Sequence, residues 1–311
     1  MSNAEESPPP RSAEALLEEG DKLFGTGRYA EAGEVYQTAA ERSHDDEIWV
    51  QAQSMAARSY LIRGLAEQGR PYIKAAATRA APDAPAGWSR FLGVRGRFEW
   101  QDEQDLPKAT ETFVAMYRFC REHGLHGRAV DAAHMVAITG TDEEKFEWTR
   151  IGIRDAEETG QTGWLGPLWN NLGWMHHGRG EYDEALAALL EARRWHHETS
   201  GPTSRLAADI FVGIAYRSAG QIEQARETIH AAHATAERLY ADEPNDEGLA
   251  ERLGNAHEQL GELAAMDGAN DEAVTHFRRA RELYVQAGAE QWGPEEIARV
   301  ERRAREIEAA E

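Results

Sequence analysis

Cysteine, lysine and long apolar runs are all scarce in this 311-residue chain, and each scarcity closes off a class of function. Cys120 is the only cysteine, so no disulfide can form within the chain and a cysteine-based metal site is excluded. It stands beside Phe119 in an apolar helical pattern, the setting of a buried structural thiol and not of a nucleophile. No apolar run approaches the roughly 20 residues that cross a bilayer, and the first residues lack the basic-then-apolar order of a secretory signal. The expectation is a soluble cytoplasmic protein with no membrane partner. Catalytic signatures are missing as well: no G-x-S-x-G elbow, no phosphate-binding loop, no glycine fingerprint after a strand, and no strand pattern anywhere. We therefore expect no catalytic residue, no cofactor and no enzymatic activity.

Charge is unbalanced. The chain carries 55 Asp and Glu against 34 Lys and Arg, a formal net charge of −21 with an isoelectric point near 5.0. Nucleic acid and anionic membrane both require a basic surface, so neither is expected as a partner. An acidic surface favours a basic partner instead. Only Lys22, Lys74, Lys108 and Lys145 are lysines; nearly all positive charge is arginine, as in a GC-rich bacterial genome or a salt-adapted organism. Histidines offer no metal site. His176–His177 and His196–His197 are adjacent on helices and so point about 100° apart. His230 and His233 share a face but lack an H-E-x-x-H pattern.

What is present is a repeat. Trp169–Ala192 reads WNNLGWMHHGRGEYDEALAALLEA. Small residues, Gly173 and Ala185, suit a close crossing of two helices, and Trp169, Leu172, Tyr182 and Leu189 would fill the space beside it. Gly178 and Gly180 surround a turn. The stretch resembles one tetratricopeptide (TPR) unit, W-x2-L-G-x2-Y followed by A-x3-F, with Trp169, Leu172 and Gly173 matching and Leu189 in place of Phe. His176 departs from the expected Tyr. The same twelve-residue spacing joins Gly20 to Ala32, which turns one motif into an array.

Crossing-point residues Gly20, Ala56, Gly96, His134, Gly173, Gly213 and Gly261 recur 36 to 48 residues apart. The resemblance therefore implies an all-α, right-handed solenoid or superhelix of about seven helical hairpins with elongated repeats near 40 residues, similar to TPR variants in bacterial regulatory proteins. The pairs are placed near 13–43, 46–81, 87–123, 126–159, 164–199, 203–241 and 246–287, after a disordered tail over 1–12 and before a capping helix over 294–311. Pairs two to four are degenerate: Gln68 falls in the small-residue slot of pair two and Phe146 in that of pair four. Ser12 and Thr141 stand as helix caps, and Pro82 and Pro85 mark a linker. Ile297, Val300, Ala304 and Ile307 form one stripe on the last helix.

The family resemblance places a concave groove along the first helix of each hairpin. Groove-facing positions are then Arg97, Arg128, Asp131, Asn170, Trp174, His177 and Arg217, with Ile210 and Ile214. Asn171 corresponds to one of the residues with which co-chaperone TPR domains hold a C-terminal carboxylate. Ala207, Phe211, Asn255 and Gln259 on the later first helices lack the cations that this use requires. The resemblance implies a non-enzymatic scaffold whose groove captures a protein or peptide. The alternative is a regulatory sensor that binds a short signalling peptide and acts through a separate effector protein.

Overall fold

A computed structural model describes residues 11–309. All regular structure among them is helical, and the pattern of contacts divides the chain into two compact units that meet at Thr159 and Gly160. The first unit holds α1 (Ala13–Gly25), α2 (Tyr29–Arg42), α3 (Asp46–Leu61), α4 (Ala66–Ala77), α5 (Pro85–Gln101), α6 (Leu106–Glu122), α7 (His126–Thr139) and α8 (Asp142–Thr159). The second opens with a 3-10 turn (Thr162–Trp164). It continues with α9 (Leu165–Gly178), α10 (Tyr182–Thr199), α11 (Pro202–Ser218), α12 (Ile222–Asp242), α13 (Glu247–Met266), α14 (Asn270–Gln286), α15 (Ala289–Trp292) and α16 (Pro294–Glu308). Within each unit, odd and even helices up to α14 pair as antiparallel hairpins, and successive hairpins of that unit stack on one another.

Local chemistry starts these helices. Ser12 Oγ accepts from Ala15 N (3.3 Å), Asp45 Oδ1 from Ile48 N (2.9 Å) and Asp246 Oδ1 from Leu249 N (2.7 Å), each satisfying an amide that the helix itself cannot. Thr141 and Glu144 form a reciprocal capping box at α8. Pro85 is the first residue of α5 and not part of a linker, because its fixed φ and missing N–H suit a helix start. Of the expected tail, residues 1–10 lie outside the described residues.

Hairpins one, five, six and seven, and also the third, which the sequence marks as degenerate, are each locked by one contact. A glycine on the first helix lies against a large side chain on the second: Gly20 against Tyr36, Gly96 against Phe113, Gly173 against Leu189, Gly213 against Ile229 and Gly261 against Phe277. A Cβ on Gly173 would stand 2.5 Å from Leu189 Cγ, and one on Gly96 would stand 2.7 Å from Phe113 Cε1. The facing side chains are all buried. Gly180 serves differently: at φ 75° it makes the turn before α10, where a Cβ would be strained.

Three further expectations are corrected. Gln68 is exposed; Gly69 is the buried small residue of the second hairpin, where a Cβ would stand 2.8 Å from the Ala57 carbonyl oxygen, so the slot has slipped by one residue. Tyr182 fills no space beside the crossing. It is the first residue of α10, 41% exposed, with its ring edge on His177. In the fourth hairpin Phe146 is only half-buried, and Thr149 one turn later takes the interior position.

Val300, Ala304 and Ile307 of α16 are buried with Phe277 and Ala280 of α14, and Ile297 packs at the edge. Ion pairs fix the helix: Arg299 reaches both carboxylate oxygens of Glu258 (2.7 and 2.8 Å), and Arg303 both of Glu262 (2.8 and 2.9 Å).

Gly173→Val should overpack the hairpin lock and destabilise the second unit by about 1–3 kcal/mol. Gly178→Ala, at a site with open space around it, should change stability by no more than about 0.5 kcal/mol. Urea unfolding followed by far-ultraviolet circular dichroism compares the two.

Candidate functional site

In the first unit, residues of α3, α5 and α7 that share one helix face wall a cavity of about 170 Å³. On α5 they are Arg90, Gly93, Val94 and Arg97, spaced i, i+3, i+4 and i+7 so that they form a single stripe. Met55 and Arg58 come from α3, Arg128 and Asp131 from α7, and Met116 of α6 lies behind. Gly93 keeps the floor open: a Cβ there would stand 3.2 Å from Met116 Sδ and 3.4 Å from Arg97 Nη1.

Four guanidinium groups thus surround one space in an acidic protein. Two are neutralised. Arg90 binds both oxygens of Asp21, which also accepts from Tyr36 Oη at 2.7 Å. Arg97, almost fully buried, donates to Asp131 Oδ1 (2.7 Å) and to the Gly93 carbonyl (2.9 Å). The other two have no carboxylate within hydrogen-bond reach. Arg128 Nη1 donates to the Ala86 carbonyl and Ser89 Oγ, with Gln51 Oε1 3.4 Å from Nη2. Arg58 lies over Phe24, its Cζ 5.1 Å from the ring centroid.

Electrostatics follow from this crowding. Burial, then the neighbouring Arg97, pushes Arg58 down to about 10, and burial, then Arg90, does the same to Arg128. Burial alone would raise Asp131, but the Arg97 and Arg58 charges outweigh it and hold its carboxyl below the usual range. Cys120 nearby is fully buried, and burial pushes its thiol up to about 11, which leaves it inert.

Of the sequence-predicted residues, Arg97, Arg128 and Asp131 come together at this cavity. Arg58 and Arg90 were missed. The signal for Arg90 was its seven-residue offset from Arg97; Arg58 carries none, because its place depends on how α3 packs.

The remaining predicted residues lie in the second unit. Asn170, Asn171, Trp174, His177 and Arg217 are all half-buried there. Trp174 stands edge-to-face with Phe211 (5.2 Å between centroids) and with His177 (5.2 Å), so it packs α9 against α11. His177 Nε2 lies 2.8 Å from Ser218 Oγ, and Arg217 Nη2 donates to Gln259 Oε1 (3.1 Å). Asn170 Oδ1 and Arg217 Nε are buried without a hydrogen-bond partner among the described residues, and Asn171 follows Asn170 on α9. Ile210 is core and Ile214 packs at its edge.

Among the described residues no group of three or more His, Cys, Asp or Glu side chains could hold a metal ion. The histidine cluster of α12, α13 and α14 shows why. His257 turns Nε2 to His233 (3.4 Å) and Nδ1 to His276 (2.9 Å), so the three rings do not converge on one point.

No family model matches the chain, and no curated protein does. Solved structures do. A Signal Transduction ATPase with Numerous Domains (STAND) protein with a tetratricopeptide repeat sensor, from Pyrococcus horikoshii, aligns with TM-score 0.71 at 12% identity over 90% of this chain. The apo form of RapI aligns at 0.69, with 11% identity, over 88% of this chain and 77% of its own. This chain has the tetratricopeptide-repeat fold. BtubC (BKLC) from P. vanneervenii is a further structural neighbour of the TPR array at TM-score 0.56 and 16% identity, covering 76% of this chain and 96% of that one. The chain spans only 43% of the length of the STAND protein.

Two expectations follow from the geometry of the TPR helices. Asp131→Asn should leave the Arg97 charge buried and unpaired, lowering stability by about 3 kcal/mol, read as a drop in the urea midpoint. The histidine cluster should make stability pH-dependent. Burial, then His233, His276 and Arg279, pushes His257 down to about 3, and burial also lowers His233 and His276 despite Glu237 and Glu272 beside them. The unfolded chain, with histidines near pH 6.5, then binds more protons than the folded one. Stability is complete above pH 6.5 and falls as pH drops from there toward 3; in urea melts His257→Gln should flatten that slope.

Proposed function

We propose that this chain is a non-enzymatic scaffold that captures a peptide or a segment of another protein along the first helices of its TPR hairpins. The observation that carries this reading is the open cavity walled by α3, α5 and α7, the first helices of three consecutive hairpins. Three elements with the same face toward one space make a surface that an extended segment can follow, and a preformed array spares the ligand most of the ordering cost. Arg97, Arg128 and Asp131 are the contact residues of this reading. Asn170, Asn171, Trp174, His177 and Arg217, half-buried on α9 and α11, form a second candidate surface. A cytoplasmic location belongs to the same reading; output through a separate effector belongs to the sensor alternative.

A sensor role is the second possibility. What favours it is the likeness to a STAND protein described as having a tetratricopeptide repeat sensor. The two differ in whether binding changes the shape of the array.

Display selection with random 12-residue peptides on the full-length chain tests the proposal. Enriched peptides should bind at micromolar affinity in fluorescence polarisation. Arg128→Gln should weaken them at least tenfold, whereas Arg238→Gln, on the exposed side of α12, should not. No enrichment, or equal binding to both variants, would overturn the placement of the site.

A further inference from the structure

We propose that the cavity between α3, α5 and α7 is a seat for a carboxylate on a short aliphatic stem, the side chain of an acidic residue in a bound peptide. The inference rests on the peptide-binding reading above and names the chemistry of its central contact.

The charge balance of the walls points to an anion. Arg58, Arg90, Arg97 and Arg128 bring four positive charges and Asp21 and Asp131 return two, while Glu47, held by the Ala86 and Gly87 amides, acts on Arg128 from outside the walls. Both aspartates are spent on Arg90 and Arg97. Among the described residues Arg58 has neither a hydrogen-bond acceptor nor an ion-pair partner; its Cζ lies over the Phe24 ring, and Asp131 acts on it only through its charge. Its N–H groups are thus not committed within the protein, and a guanidinium fork can meet a carboxylate with two parallel hydrogen bonds. Arg128 is held in place by neutral acceptors, which orient it without cancelling its charge.

Keeping two such charges half-buried is costly, and the depressed ionisation of Arg58 and Arg128 reports that cost. An anion would relieve it. The floor decides which anion. Met55, Val94 and Met116 line the same space as the guanidiniums, so the cavity matches a charged head on methylene groups better than a bare inorganic ion. This recognition is local. The −21 charge of the whole chain favours basic partners at long range, so an acidic residue here would act as a register mark inside a ligand of any overall charge.

The test uses the full-length protein with acetyl-Ala-Glu-Ala-amide, its Gln counterpart and inorganic phosphate as probes. Readouts are thermal unfolding and nitrogen-15 resonances of the arginine side chains. The Glu peptide should raise Tm and shift the Arg58 Nε resonance, and the Gln peptide should do neither. Arg58→Met should raise Tm of the free protein by removing repulsion, and should weaken the Glu-peptide response at least tenfold. Arg58→Lys, a milder change, should retain the fold and only part of the response. Equal responses to Glu and Gln peptides, or a lower Tm for free Arg58→Met with the response intact, would overturn the inference. A response to phosphate without one to the Glu peptide would overturn the carboxylate assignment. If displayed peptides bind but carry no acid and ignore Arg58→Met, the scaffold reading stands and this inference fails. If the Glu peptide gives its response but no displayed peptide is enriched, the carboxylate seat stands and the extended peptide groove fails.

Discussion

Everything in this architecture depends on how closely two helices can approach at one point. Where Gly20, Gly96, Gly173, Gly213 or Gly261 removes a side chain, a large residue of the returning helix enters the gap and is buried there. That contact sets the hairpin's crossing, and the crossing fixes which stripe of the first helix remains for the next hairpin or for a ligand. A single hairpin has an uncovered apolar face and needs a neighbour. The stacking therefore follows from the lock, and the position of every groove residue follows from the stacking.

The cavity of the first unit shows what this positioning achieves. Arg90 and Arg97 reach it because α5 presents a seven-residue stripe, and Arg128 and Asp131 because α7 repeats the geometry one hairpin later. Gly93 leaves room between them where a side chain would close it. The result is a concentration of positive charge that overall composition conceals. A protein can be strongly acidic and still hold a cationic recess, because at ordinary ionic strength fields fade over about 10 Å.

The fold was legible because it is periodic. Glycine, a twelve-residue interval and alanine recurred often enough to identify hairpins, and Gly20, Gly96, Gly173, Gly213 and Gly261 hold the crossing points that the spacing assigns them. Degenerate copies misled for a local reason: in the second hairpin the small residue moved from position 68 to Gly69, and a fixed interval cannot follow a one-residue slip. The site was legible only in part. Arg97 and Arg128 could be placed by counting from crossing points, but Arg90 meets its partner Asp21 across 69 residues and Arg128 meets Gln51 across 77. Such pairings depend on the packing of three hairpins, which no local pattern records. Trp174 was assigned to the groove by the same counting, and its contact with Phe211 shows that one position can also hold neighbouring hairpins together.

The last helix of the second unit carries a different consequence. A repeat that stacks on its neighbour presents, at its open side, a surface suited to a further repeat. Beneath α16 lie Phe277, Ala280 and Val274, an apolar face of that kind. If it were bare, the helices of another molecule could settle on it, and an unlike-to-like contact with no closing rotation leads to filaments. With α16 clamped through Glu258 and Glu262, that face is occupied and the outer surface is charged. The helix thus occupies the place that a further hairpin would take, on a face that the repetition itself leaves apolar.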